Sequence, residues 1–288
     1  MRIIDRAAGC KSSLLEVFVV ANFAFLVLDV FLAHSVNNFR HTAEWIPFAF
    51  SAVATLLLAA ALPRKDWATR GSYAHGAGFM VGFSSVALGL AGVVYHLQSQ
   101  FFSQWTIRSL VYTAPFAAPL AYCGLGLLLL LNRMVPPAKE EWGKWVVFLA
   151  LGGFLGVFVL ALCDHAQNGF FYASEWWAVA SSALAAGFLA VALVDRREAF
   201  IRVCFGVLAL QVAVGLAGFY FHVSADINGL SASMFENFVH GAPAFAPLLF
   251  VDLSVLAAIG LSGPYATRKW CGEGDSNPQG IAPTSTSS

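Results

Sequence analysis

The chain has 288 residues, 59% of them hydrophobic and 11% charged, with mean hydropathy +0.72 and a formal net charge of zero. An ordinary soluble domain is about 25% charged, so too little polar surface is present to clothe a globule of this size in water, and the chain reads as an integral membrane protein in a lipid bilayer. A net charge of zero leaves no basic footprint for nucleic acid.

Eight segments are long and apolar enough to cross the hydrocarbon layer as helices: 14–36, 45–62, 75–97, 107–132, 145–166, 176–194, 200–223 and 237–261. The predicted fold class is therefore all-α, a polytopic bundle of eight transmembrane helices, because helices satisfy their own backbone groups in lipid. The first run, Leu14 to Ala33, has a spanning length rather than that of a signal core. Five cysteines, Cys10, Cys123, Cys163, Cys204 and Cys271, show no CxxC spacing, and no structural disulfide is expected.

Orientation follows from the basic residues. Arg2, Arg6, Lys11, Arg64, Lys65, Arg70, Arg133, Lys139, Lys144, Arg196, Arg197, Arg202, Arg268 and Lys269 all fall on one side of this topology. Arg40 and Arg108 alone fall on the other. The positive-inside rule then places both termini in the cytoplasm, with the chain in a plasma or inner membrane. The last stretch, rich in Gly, Ser, Thr and Pro, is expected to be a disordered cytoplasmic tail.

Three blocks recur in the same order. His34-Ser-Val-Asn-Asn-Phe-Arg-His-Thr-Ala-Glu-Trp45 matches His165-Ala-Gln-Asn-Gly-Phe-Phe-Tyr-Ala-Ser-Glu-Trp176 without a gap. Gly89-Leu-Ala-Gly-Val-Val-Tyr-His96 matches Gly215-Leu-Ala-Gly-Phe-Tyr-Phe-His222. Ala114-Pro-Phe-Ala-Ala-Pro-Leu120 matches Ala242-Pro-Ala-Phe-Ala-Pro-Leu248. Such order predicts a four-helix unit copied once: a first repeat over 1–136, a second over 137–265 and a tail over 266–288, the repeats related by a pseudo-two-fold along the membrane normal. The Gly-Leu-Ala-Gly segments should permit close helix approach, and the paired prolines should bend the fourth and eighth helices.

On this topology His34, His96, His165 and His222 all fall at outer helix ends, and Glu44 and Glu175 at outer helix starts. His240 opens the eighth helix, and His41, Asp164, Asp226 and Glu236 lie at the same level. Carboxylates at helix N-termini and tryptophans at an interface have ordinary explanations. Two histidines and one glutamate recurring at the same level in both copies point instead to function, since ionisable groups at membrane depth are costly unless paired or ligated.

Imidazole with carboxylate suits iron, copper, zinc or manganese, and a pair of imidazoles suits haem. In one arrangement His34 with His96 and His165 with His222 bind two haems, with Glu44 and Glu175 as catalytic or proton-handling groups. In the other, non-haem metal is ligated by His34, Glu44, His96, His165, Glu175, His222 and His240. No CxxCH is present, so haem would be non-covalent. Two four-helix halves with outer-side histidines resemble haem A synthase. That family, however, carries its histidines on even-numbered helices with a Glu-x-x-His motif, which follows neither Glu44 nor Glu175 here.

Asp29 and Asp252, unduplicated carboxylates within the apolar runs, suggest proton or ion handling. The functional expectation is a membrane redox enzyme or electron-transfer subunit, with a quinone or another membrane redox partner. The alternatives are a proton- or cation-coupled transporter or channel, and a non-catalytic assembly subunit.

Overall fold

The computed structural model describes residues 2–62 and 73–262, with side chains from residue 10 onward. Cys271, the 266–288 tail, the loop residues Arg64, Lys65, Arg70, Arg268 and Lys269, and the side chains of Arg2 and Arg6 lie outside the described residues. Among the described residues there are helices and turns and no strands. The helices are α1 (Arg2–Ser35), α2 (Trp45–Ala61), α3 (Tyr73–Gln98), α4 (Phe101–Gln104), α5 (Ile107–Val111), α6 (Leu120–Met134), α7 (Glu140–Gln167), α8 (Glu175–Ala192), α9 (Glu198–Ile227), α10 (Met234–His240) and α11 (Leu248–Leu261).

Six of these, α1, α2, α3, α7, α8 and α9, are long and apolar enough to cross a membrane. Their outward faces are apolar as well: Leu56 is 72% exposed, and Met80 and Phe83 are each 62% exposed. Water would penalise such a surface, whereas hydrocarbon does not, which is the signature of a chain that sits in a lipid bilayer.

The segments 107–132 and 237–261, read as continuous bent helices, are each broken instead. Short α5 and α10 are followed by irregular turns, and regular helix resumes only at Leu120 and Leu248. The prolines explain it. Pro115, Pro119, Pro243 and Pro247 lack the amide donor, and each pushes the residue before it away from helical geometry. What remains, α6 and α11, are apolar helices of 15 and 14 residues.

The long helices form two rings. In the first, α1 packs on α2, α2 on α3, α3 on α6, and α6 returns to α1. In the second, α7 packs on α8, α8 on α9, α9 on α11, and α11 returns to α7. The rings meet along α6 against α7 and α1 against α11, while α5 touches α7 and α10 touches α1. The shared core runs between them through Leu15, Val19, Leu128, Trp142, Val146, Phe154 and Ala257.

Small residues set the close contacts. A Cβ on Gly126 would stand 2.5 Å from the Gly82 carbonyl oxygen, and one on Gly143 2.9 Å from that of Gly260. Dispersion between near-touching backbones holds helices together in lipid, where no hydrophobic effect does so. A polar knot is buried at the end of the bundle remote from His34, His96, His165 and His222. Glu16, 3% exposed, accepts from Arg133 through both oxygens and from Asn132 Nδ2 at 2.7 Å, and Asn132 Oδ1 accepts from Trp142 Nε1 at 3.2 Å. This knot joins α1, α6 and α7, and so crosses from one ring to the other.

Candidate functional site

Each ring carries a polar mouth built from all four of its members. In the first ring the last turn of α1 offers His34, the start of α2 offers Glu44, the last turn of α3 offers His96, and the turn before α6 offers the Pro115 carbonyl. In the second, His165 in the last turn of α7, Glu175 at the start of α8, His222 about a turn before the end of α9 and the Pro243 carbonyl before α11 correspond to them.

The geometry of the two mouths is nearly the same. The rings of His34 and His96 are centred 6.5 Å apart at 87°, and those of His165 and His222 are 6.5 Å apart at 84°. His96 Nδ1 and His222 Nδ1 each lie 2.9 Å from a proline carbonyl, Pro115 and Pro243 respectively. A carbonyl is only an acceptor, so Nδ1 must carry the hydrogen. In the neutral ring that leaves the Nε2 lone pair free, the arrangement a metal-binding histidine adopts. His34 Nδ1 is buried without a well-formed hydrogen bond, a weak interaction with the Val30 backbone aside.

Each glutamate is held through Oε1 by an asparagine. Glu44 Oε1 accepts from Asn37 Nδ2 at 2.9 Å, and Glu175 Oε1 from Asn168 Nδ2 at 3.3 Å. Both Oε2 atoms are buried without a hydrogen bond, and that of Glu175 lies 3.6 Å from His165 Nδ1. Two buried carboxylate oxygens left unpaired at equivalent places are unusual, because desolvation of such an atom costs more than an ordinary hydrogen bond returns.

The loop that joins the first two helices of each ring has one shape in both. The chain turns through left-handed backbone at Asn38 (φ 57°) and Phe39 (φ 51°), and at Gly169 (φ 72°) and Phe170 (φ 54°). Phe39 N–H donates to the His34 carbonyl at 3.1 Å and Phe170 N–H to the His165 carbonyl at 2.9 Å, closing the helix end. Phe39 then stacks on Trp45 at 4.1 Å, and Phe170 on Trp176 at 3.9 Å. Histidine, asparagine, phenylalanine, glutamate and tryptophan, matched between the two stretches, thus each have a local task.

The glycine and proline blocks dock together beneath each mouth. A Cβ on Gly92 would lie 2.7 Å from Pro119 Cβ, and one on Gly218 2.9 Å from Pro247 Cβ. Bare backbone at these points lets α3 and α9 reach the proline turns, and this is what brings His96 and His222 onto their carbonyls.

Other predicted residues are placed elsewhere. His240 sits on α10, about half exposed and 3.4 Å from Glu236, outside the second mouth. His41 is exposed. Asp164 lines a small cavity between the α5–α6 turn and α7, beside Cys163, Thr113, Pro115 and Gln167. Asp252 accepts from Asn22 Nδ2 at 2.9 Å across the α1–α11 contact, while Asp29 lies within α1, near Tyr122. Among the described residues no group of three or more His, Cys, Asp or Glu is placed to hold a metal ion.

Sequence reasoning did not identify the proline carbonyls as histidine partners or the asparagines as glutamate partners. The signal was present in the co-occurrence of all three repeated blocks. In comparison with known proteins, no family model, no curated protein and no solved structure matches the chain.

Proposed function

We propose that this chain crosses the membrane eight times as two copies of a four-helix unit, with both termini in the cytoplasm, and that each unit holds a redox-active metal at its outer mouth. The function that follows is that of a membrane oxidoreductase or electron-transfer subunit, with a quinone or another membrane carrier as its partner. One observation carries this reading: in both rings two imidazoles stand nearly perpendicular with their centres 6.5 Å apart.

A metal–imidazole bond is about 2.0 Å long. Adding about 1.1 Å from nitrogen to ring centre on each side puts two trans imidazoles about 6 Å apart around one metal. A haem would need only two ligands from the protein, and each mouth offers two histidines. Haem is therefore favoured over a non-haem site of zinc, manganese, copper or iron using Glu44 or Glu175 as a further ligand. When bound, the haem would supply a one-electron couple. His34, His96, His165 and His222 would hold it, the Pro115 and Pro243 carbonyls would orient the imidazoles, and the unpaired Oε2 of Glu44 and Glu175 would accept a proton beside them.

The test is the visible spectrum and metal content of the purified chain in detergent, alongside His96→Ala and His222→Ala. Two equivalents in the wild type and one in each variant are expected. A folded protein without colour or metal overturns the reading.

A second reading, a proton- or cation-coupled transporter, is favoured by the Asn22–Asp252 contact between the rings, since sites between repeats frame transport pathways. Liposome uptake unaltered by Asp252→Asn counts against it.

A further inference from the structure

The turn that presents each proline carbonyl is itself held in place through the amide of the residue before the proline, and the two rings hold it differently. In the first, Ala114 N–H donates to Ser99 Oγ at 2.9 Å. Ser99 Oγ lies 2.7 Å from Thr113 Oγ1, which in turn lies 2.7 Å from the His96 carbonyl. Every group in that clamp is neutral. In the second, Ala242 N–H donates instead to Asp226 Oδ1 at 2.8 Å.

Asp226 is 1% exposed, and its Oδ2 is buried with no hydrogen-bond partner. The loop is shaped to receive it: a Cβ on Gly241 would stand 2.2 Å from Asp226 Oδ1, so only glycine lets the carboxylate close on the Ala242 amide. Asp226 follows His222 by one turn of α9, and residues four apart on a helix have neighbouring side chains, about 6 Å between Cβ atoms. At the matching place after His96 stands Gln100, exposed and uncharged.

We propose that Asp226 is a positioning residue that also makes the two centres unequal, holding the His165–His222 centre at a lower reduction potential than the His34–His96 centre. The proposal rests on the metal-binding reading above. As a carboxylate, Asp226 would put a buried negative charge beside the metal, which stabilises the oxidised form with little solvent present to screen the interaction. The first centre, clamped by hydroxyls, lacks that charge. The same residue that fixes the Pro243 carbonyl, and through it His222, therefore sets the order in which the two centres fill with electrons.

The experiment is a reductive titration of the purified full chain, followed by its visible or EPR signal. Two waves are expected in the wild type, the lower of them missing in His222→Ala. Asp226→Asn keeps an oxygen for the Ala242 amide and removes the charge. It should shift the lower wave at least tenfold in its reduction equilibrium, about 59 mV for one electron, and leave the upper wave in place. Asp226→Ser, which borrows the hydroxyl of the other clamp, should do the same and provides a second variant should the first not fold. A single shared midpoint in the wild type, or a lower wave unmoved in the variants, overturns this proposal alone. A chain with no bound metal or haem overturns it together with the functional reading on which it rests.

Discussion

Replacing Glu16 by glutamine should be among the most damaging single changes outside the two mouths. Glu16 is 3% exposed and the Arg133 side chain 10% exposed, and the two are joined by a bidentate pair that also gathers Asn132 and, through it, Trp142. Glutamine retains the shape and one acceptor oxygen but leaves a guanidinium buried without its counter-charge; beyond that oxygen, the described partner of Arg133 is the Ala74 carbonyl, 3.4 Å away. Breaking a buried pair on one side costs about 3–5 kcal/mol. At about 2 °C per kcal/mol for a chain of this size, the unfolding midpoint should fall by about 6–10 °C.

Thermal unfolding in detergent, followed by tryptophan fluorescence, measures this directly, because Trp142 is 1% exposed and hydrogen-bonded into the knot. The decisive arm is the double variant Glu16→Leu with Arg133→Leu. Removing both charges abolishes the desolvation penalty as well as the attraction, so the pair should cost much less than the sum of its single changes. A Glu16→Gln midpoint equal to the wild type, or a double variant that loses the full sum, refutes the reasoning.

Further expectations concern the glycine–proline docking, the core and the surface. Gly218→Leu should push α9 off Pro247, costing about 1–3 kcal/mol through overpacking, as read by the unfolding midpoint, and on the proposed metal-binding reading should also halve the metal content. Tyr122→Phe should cost about 1 kcal/mol, because the Tyr122 hydroxyl is 2.6 Å from Ser51 Oγ and donates to the Pro47 carbonyl; an unchanged midpoint would show those bonds contribute nothing. Asn168→Ala should remove the hydrogen bond that holds Glu175 Oε1, 3.3 Å long, and cost at most about 1 kcal/mol, read as a small fall in the unfolding midpoint. In the α8–α9 loop, hydrogen bonds from Arg197 hold the Asp195 carboxyl below its ordinary value of 3.8. A lowered folded value stabilises above pH 3.8 and is lost as pH falls through it. Asp195→Asn should therefore lower the midpoint slightly at neutral pH and not at pH 2, an ion pair this exposed being worth little.

Much of the architecture was legible because apolar run length speaks directly to helices in lipid. The break in 107–132 and in 237–261 was not, since two prolines four residues apart suit either a kink or a stop; the docking of Pro119 on Gly92 and of Pro247 on Gly218 decided it. The four histidines were found through their recurrence. Their proline carbonyls were not, because hydrophobic pattern reports which face of a helix is buried and says nothing about which backbone atom a ring nitrogen meets 19 or 21 residues away. Glu16 passed unnoticed inside an apolar run, and its partner Arg133 was read as a loop charge. The two are 117 residues apart, a separation across which local spacing carries no information. Asp226 was legible only as one more polar group at the histidine level.

The proline-broken helices also set the profile of each ring. At 1.5 Å per residue, α6 and α11 are about 22 Å long, against a hydrocarbon layer of about 30 Å. Each ring therefore has three tall walls and one low one, and irregular backbone of the α5–α6 and α10–α11 turns fills the notch. The amides of Ala114, Ala118, Ala242 and Ala246 are all paired there, as irregular backbone at that depth requires. Because α6 lies against α7 and α11 against α1, each low wall is backed by the neighbouring ring, so the notches open toward the seam between the rings rather than onto the surrounding acyl chains.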